Sequence, residues 1–247
     1  MNREQISALA HANHPIAGPV GDESVRRLLR HAIVRGDERV LDLGCGGGEW
    51  LLRALTTYPE LRAEGVDIAE PALATARAGA RRLGVEDRLT LHRCDAAGLA
   101  AERAFDLVLG VGVVHIFGGL TRTLAAAREH LAPGGRVLIG HGFWDREPSA
   151  EAVELLGELD DLAATVDRVI ADGWTPVHGH ISTRAELDEY EWSWTGSLAE
   201  WALDHFGDAD GREAFATAAT HREQWMRGYR ESFGFVCLVL RLAPVRA

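Results

Sequence analysis

The segment Val40-Leu-Asp-Leu-Gly-Cys-Gly-Gly-Gly48 limits the possible folds of this chain more than any other. Val40–Leu43 reads as a buried strand that runs straight into a glycine-rich turn. Glu49–Thr57 reads as the helix that leaves it. Strand, tight turn and helix in that order open an α/β sheet. Glycine is required where the backbone turns sharply, or where a ligand approaches with no Cβ in the way. The N-terminus of the helix offers free N–H groups and a partial positive charge.

A dinucleotide fingerprint G-x-G-x-x-G fails in this turn. Gly44 and Gly46 fit it, but its third glycine falls on Glu49. Asp42, two residues before the first glycine, would repel a pyrophosphate and suits a ligand that carries an ammonium group. Cys45 lies inside the turn. No His or Asp arrangement marks it as a nucleophile, so its side chain reads as a small filler.

Short apolar strands then alternate with helices: strands at Ala63–Val66, Leu89–Arg93, Phe105–Leu109 and Arg136–Gly140, and helices from about Pro71 to Leu83 and from Thr121 to Leu131. Gly84 and Pro133-Gly134-Gly135 mark helix ends. This alternation predicts a parallel sheet covered on both faces. Beyond Trp144 the pattern predicts one long helical region over Ala150–Ala171, a strand at Trp174–Ile181 and a strong strand at Gly234–Leu242. An aromatic, acidic, helical stretch, Thr183–Glu231, lies between those two strands, and the segment before residue 35 also reads as helical.

Two carboxylates fall where strands end. Asp67 closes the second strand about 20 residues past the glycine turn, placed to accept hydrogen bonds from ribose hydroxyls. Asp95, in Cys94-Asp-Ala96, is placed to accept from an adenine amino group, and Asp106-Leu-Val-Leu-Gly110 brings the fourth strand to the same edge. A single aspartate after a strand is usually a turn residue. The ordered set is far more specific.

With these motifs the chain resembles the class I S-adenosylmethionine (SAM)-dependent methyltransferase family. The resemblance runs over roughly residues 38–144, through VLDLGCGGG, VDIAEPALATAR, the CDA step, FDLVLGVGVVHIF and LAPGGRVLI. It implies a Rossmann-like α/β fold with a seven-stranded, mostly parallel sheet whose last strand is antiparallel. Around that sheet it leaves an N-terminal helical lid (1–37) and a helical insertion (183–231) between strands 6 and 7 as a substrate cap, all in a single domain over 1–247. It also implies roles by position. Asp42, Gly44, Cys45 and Gly46 surround the methionine portion of SAM. Asp67 holds the ribose, and Ile68 lies beside the adenine. Asp95 and Ala96 line the adenine pocket, and Gly110 and Val111 pass close to the methionine portion.

The bulk numbers narrow the partners. A formal net charge of -11 disfavours a nucleic-acid surface, which relies on Lys/Arg contacts to phosphate. The 3 cysteines (Cys45, Cys94, Cys237) are odd in number and far apart, so neither a disulfide framework nor a metal site is expected. No apolar run approaches the ~20 residues that span a bilayer, and Met1–Ala17 lacks a signal core. The expectation is a soluble, cytoplasmic enzyme that methylates a small molecule and needs no metal.

The reacting groups are less marked. His115 and His141 follow the fourth and fifth strands at the expected cofactor edge, where each either serves the substrate or only hydrogen-bonds the loop. Tyr190, Trp192 and Trp194 form either an aromatic wall for a cationic centre or one packing face of a helix, with Glu189 or Glu191 as an amine partner in the first case. Tyr190 joins His115 and His141 as a catalytic candidate. His11 and His14 reach the site only if the N-terminal segment covers it. His178 and His180 share a strand face but lack further ligands for a metal. Three other readings stay open: SAM chemistry at its aminopropyl carbons with release of methylthioadenosine, a non-catalytic SAM-binding protein, and a nicotinamide oxidoreductase.

Overall fold

The computed structural model describes residues 1–100 and 104–244. Val40, Leu41 and Leu43 are fully buried, as a parallel strand covered on both faces requires. That strand, β1 (Arg39–Leu43), pairs in parallel with β2 (Arg62–Asp67) and with β4 (Phe105–Val111). β2 pairs in parallel with β3 (Leu89–Arg93), and β4 with β5 (Leu131–Trp144). β6 (Trp174–Ile181) and β7 (Phe233–Leu242) form an antiparallel pair. The seven-stranded sheet has the order β3-β2-β1-β4-β5-β7-β6, the Rossmann-like arrangement with an antiparallel last strand.

The helices are α1 (Arg3–Ala10), α2 (Asp22–Ala32), α3 (Glu49–Thr57), α4 (Glu70–Leu83), α5 (Val114–Phe117), α6 (Leu120–Glu129), α7 (Ala150–Leu156), α8 (Leu162–Ala171), α9 (Arg184–Asp204) and α10 (Ala209–Glu223). Several of their ends have a plain local cause. Gly84 caps α4 in a left-handed conformation, and its N–H reaches the carbonyls of Ala80 and Arg81. Thr183 and Glu186 form a capping box that starts the 21-residue α9.

Three details differ from the sequence expectations. The region Ala150–Ala171 is not one helix: Gly157, at φ 82°, ends α7, and α8 starts afresh at Leu162. The fifth strand begins at Leu131 instead of Arg136, because Leu131 already pairs with Phe105 and the register then jumps to Leu107 against Arg136. Pro133-Gly134-Gly135 therefore forms a bulge within a ladder and does not follow a helix. The helix before it stops at Glu129, where His130 turns its carbonyl to the Phe105 N–H at 2.8 Å.

The chain divides into two compact units. The sheet unit holds Gly21–His141, Ala163–Ile181 and the described residues from Val236 onward. The helical unit holds Met1–Val20, Gly142–Leu162 and Ser182–Phe235, so α1 and α2 belong to different units. In the helical unit, Ala10, Leu198, Ala202, Ala214 and Ala218 make a buried core, mostly of alanine, shared by α1, α9 and α10. The Met1 ammonium is held by Asp210 and Glu213 at 3.3 and 2.6 Å. After α10 the backbone widens into a π turn over Gln224–Tyr229, with the Arg230 N–H bonded to the Trp225 carbonyl at 2.9 Å. Among the described residues, no helix is long and apolar enough to cross a membrane.

Candidate cofactor site

The parallel pairing of β1 to β5 brings their carboxyl ends to one edge of the sheet unit. At the end of β1 the backbone reverses at Gly44. The N–H groups of Gly44 and Cys45 both donate to the Val66 carbonyl, at 2.8 and 2.9 Å. Gly44 has φ 79°, and a Cβ there would lie 2.6 Å from Cγ1 of Val113, a buried residue. Gly46 has φ 51°, but a Cβ there would meet nothing within 4 Å. The first glycine thus serves packing, while the second borders open space.

Asp67 ties this turn to the next helix. Its Oδ2 accepts the Gly46 N–H at 2.9 Å and its Oδ1 accepts the Ala69 N–H at 2.8 Å, one residue before α4. Each oxygen keeps a lone pair for a further donor. Ile68, the next residue, is 64% exposed, an apolar surface beside a carboxylate. Asp42 is the opposite case, at 4% exposure. Burial, with a smaller contribution from the Asp67 carboxylate, pushes its carboxyl up to about 7. A cation placed against it would return it to the ionised form. Cys45 is buried and its thiol is pushed up by that burial, which makes it a poor nucleophile. Its Sγ fills the space a Gly65 Cβ would occupy, at 2.8 Å.

The remaining strand ends complete the edge. Asp95 is exposed and caps a short 3-10 turn through the Ala97 N–H at 3.0 Å, while Ala96 is buried beneath it. Gly110 is buried, with room for a Cβ only if Ile139 and Val113 give way, and Val111 is half-buried. His115 is exposed on α5 just past β4, and His141 is half-buried on β5. The candidate cofactor residues, with His115 and His141, therefore lie at or near the ends of β1 to β5.

Tyr190 does not belong to that unit. It sits on α9 in the helical unit, where its hydroxyl lies 3.2 Å from His11 Nε2 and its ring meets His14 edge-on at 5.5 Å. Burial raises its phenol well above the usual range. Trp194 and Trp201 pack against the alanine core. Glu191 is buried with its oxygens on Tyr229 and His221, a grouping the sequence did not reveal. His178 stacks on His31 at 3.5 Å, and His180 faces Arg27 at 2.9 Å.

The comparisons agree with this geometry. Residues 40–135 match the family model for a methyltransferase domain. The Escherichia coli (strain K12) protein YjhP is 27% identical over 95% of this chain and 97% of its own. A crystal structure of a SAM-dependent methyltransferase from Thiobacillus denitrificans, in complex with S-adenosyl-L-homocysteine, superposes with a TM-score of 0.89 at 25% identity, covering 98% of this chain and 99% of that one. Another from Geobacter sulfurreducens, in the same kind of complex, gives 0.90 at 24% identity over 96% and 98%. The sheet order and the turn after β1 define a Rossmann-like methyltransferase fold. Over residues 40–135 the chain matches the methyltransferase-domain family, and its fold is that of the SAM-dependent methyltransferases it superposes on, a class whose cofactor is SAM.

Proposed function

We propose that this chain binds SAM at the carboxyl edge of β1–β4 and transfers its methyl group to a small-molecule acceptor. The observation that carries this reading is the pairing of a buried carboxylate, Asp42, with the open space at Gly46 and the Asp67–Ile68 step. The donor set fits the cofactor group by group. Asp42 meets the ammonium, the backbone at Gly44–Gly46 admits the methionine chain, and Asp67 takes the ribose hydroxyls. Ile68, Asp95 and Ala96 hold the adenine, and Gly110 and Val111 leave room beside the methionine portion. SAM supplies an electrophilic methyl group whose bond pair remains on sulfur when the methyl leaves.

The chain's own contribution is placement, worth up to ~7–11 kcal/mol when reactants are held in line. His115 and His141 are positioned to orient or deprotonate an acceptor. The net charge of -11 supports a small acceptor over a nucleic acid. The three free cysteines suit a reducing, cytoplasmic setting.

Calorimetric titration with SAM, and separately with NADPH, tests the reading, followed by mass spectrometry of the incubated cofactor. SAM should bind and NADPH should not, and an acceptor should yield S-adenosylhomocysteine. Methylthioadenosine as product, or no SAM binding, would reject methyl transfer. Asp67→Ala should weaken SAM binding by about 10–100-fold, since bonds to a charged acceptor contribute ~1.5–3 kcal/mol. Unchanged affinity would remove Asp67 from the ribose. His115→Ala should lower turnover more than SAM affinity, and an unchanged rate would remove His115 from the reaction.

A further inference from the structure

Residues 1–14 lie along α9 within the helical unit, and an imidazole sits at the centre of the contacts that hold them there. Ala10 is fully buried against Leu198 and Ala202 of α9, with Ile6, Leu9, Trp194 and Trp201 packed around them. Past α1, the Asn13 amide donates to the Ser197 hydroxyl at 3.0 Å. His11 lies between these two contacts. Its Nδ1 is 2.8 Å from the Ser7 carbonyl, an oxygen that can only accept, and the Ser7 hydroxyl is farther, at 3.4 Å. That nitrogen therefore carries a proton. The other nitrogen, Nε2, is 3.2 Å from the Tyr190 hydroxyl. Burial and the Glu191 charge raise the Tyr190 phenol above its usual range, so Tyr190 stays a donor. A neutral His11 completes the pair as acceptor. A protonated His11 has two N–H donors and no lone pair for the Tyr190 proton.

Two features of the same segment oppose this docking. His14 meets the Tyr190 ring edge-on at 5.5 Å, and its Nδ1 is buried with no hydrogen-bond partner among the described residues. A nitrogen in that state has lost its water and gained no bond, which costs stability. Ala17, three residues on, has φ 53°, and among the described residues it is the one non-glycine with positive φ. A Cβ in the left-handed region is strained, and such strain gathers at switch segments. The N-terminal segment is thus held by a few contacts against two local costs.

We propose that residues 1–17 form an acid-released strap: near neutral pH they cover the face of α9 that carries Tyr190, Trp194 and Trp201, and protonation of His11 lifts them off it. Burial holds the His11 imidazole below its usual value. The nearby His14 adds to this, and the Ser7 carbonyl works against it. The docked His11 therefore binds a proton less readily than the released one. Docking is full above pH 6.5, weakens as pH falls below that value, and levels once the docked imidazole is itself protonated. The described titratable groups that face His11 are His14 from its own segment and Tyr190, with Glu191 next to it, from α9. α10 meets the segment at its other end, where Asp210 and Glu213 lie beside Met1.

Hydrogen exchange of the whole protein, read by mass spectrometry and corrected for the intrinsic rate, tests this from pH 8 to pH 5. Exchange in α1 should quicken below pH 6.5 by up to about tenfold per pH unit, while the buried strands β1 and β4 keep their protection. Asp42 contributes more to stability as pH falls over this range, so its titration opposes the signal. His11→Gln cannot take up a proton, so its α1 should exchange at a corrected rate independent of pH. His11→Lys carries a charge throughout, so its α1 should exchange at pH 8 as the wild type does at pH 5. An acid step that persists in His11→Gln, or full protection of α1 in His11→Lys at pH 8, overturns the proposal. Nitrogen NMR of the wild-type protein adds a test that needs no variant. His11 should be the Nδ1–H tautomer and should titrate below 6.5. An Nε2–H tautomer, or titration at or above that value, overturns the proposal.

Discussion

Gly44→Ala should destabilise the protein by about 2–5 kcal/mol and abolish SAM binding, whereas Gly46→Ala should cost about 1–2 kcal/mol in stability and still lose most of the binding. The two glycines are neighbours in one turn and both have positive φ, 79° and 51°. Strain from a side chain in that region is common to both. The difference is packing. At Gly44 a Cβ would lie 2.6 Å from Val113 Cγ1 and 3.4 Å from Ile116 Cδ1, and Val113 is too stiff and too buried to swing away. At Gly46 the new methyl enters space that only a ligand would fill. Thermal unfolding and calorimetry on the two variants separate these effects. Val113→Ala in the Gly44→Ala background should return part of the lost stability, as a double-mutant cycle with a favourable coupling. Additive losses would mean that the contact with Val113 is not the cause.

This turn was the most legible part of the sequence. A short, mostly apolar segment such as Val40–Leu43, running straight into a glycine-rich turn, reads as a strand buried on both faces, and glycine at 44 and 46 leaves few backbone conformations for the turn into α3. The carboxylates were legible for the same reason. Once a strand end is located, the next residue is placed to within one position, so Asp67 and Asp95 could be assigned to the edge. Gly157 was harder to weigh. A glycine inside a helical pattern is tolerated in some helices and ends others, and nothing local separates the outcomes. The bulge at Pro133–Gly135 depends on a register between β4 and β5, which is a tertiary property.

The helical unit was legible as helix and little more. The capping box at Thr183 and Glu186 sets the start of α9 plainly. Nothing in the sequence, however, joins Glu191 to His221, 30 residues on, because the contact exists only once α9 and α10 lie side by side. The π turn is equally hidden, since widening one turn leaves no residue signature. Tyr190 and the tryptophans read as either a wall or a packing face, and in the structure Trp194 takes part in both the alanine core and the stack on His221.

Asp42→Asn should make the protein more stable and a poorer binder of SAM, with both effects set by pH. Burial raises the Asp42 carboxyl from the usual 3.8 to about 7. Between those values the folded state holds a proton that the unfolded state has released. The contribution of Asp42 to stability is therefore greatest near pH 4, falls as pH rises to about 7, and is level above that. The full displacement corresponds to at most ~4 kcal/mol. Asp42→Asn removes this dependence, so it should gain about 2–4 kcal/mol at pH 8, or roughly 2–4 °C per kcal/mol in Tm, and almost nothing at pH 4. Binding should move the other way. An ammonium group requires the ionised carboxylate, so wild-type affinity for SAM should fall about tenfold per pH unit below 7, while that of the variant stays flat and about 10–100-fold weaker at pH 8. Melting curves and titrations at pH 5 to 8 on both proteins measure the two sides together. A wild-type affinity independent of pH would show that Asp42 does not meet the ammonium. A variant no more stable at pH 8 would show that the buried carboxyl carries no cost. If both expectations hold, the buried Asp42 carboxyl is maintained against stability because the ligand needs its charge.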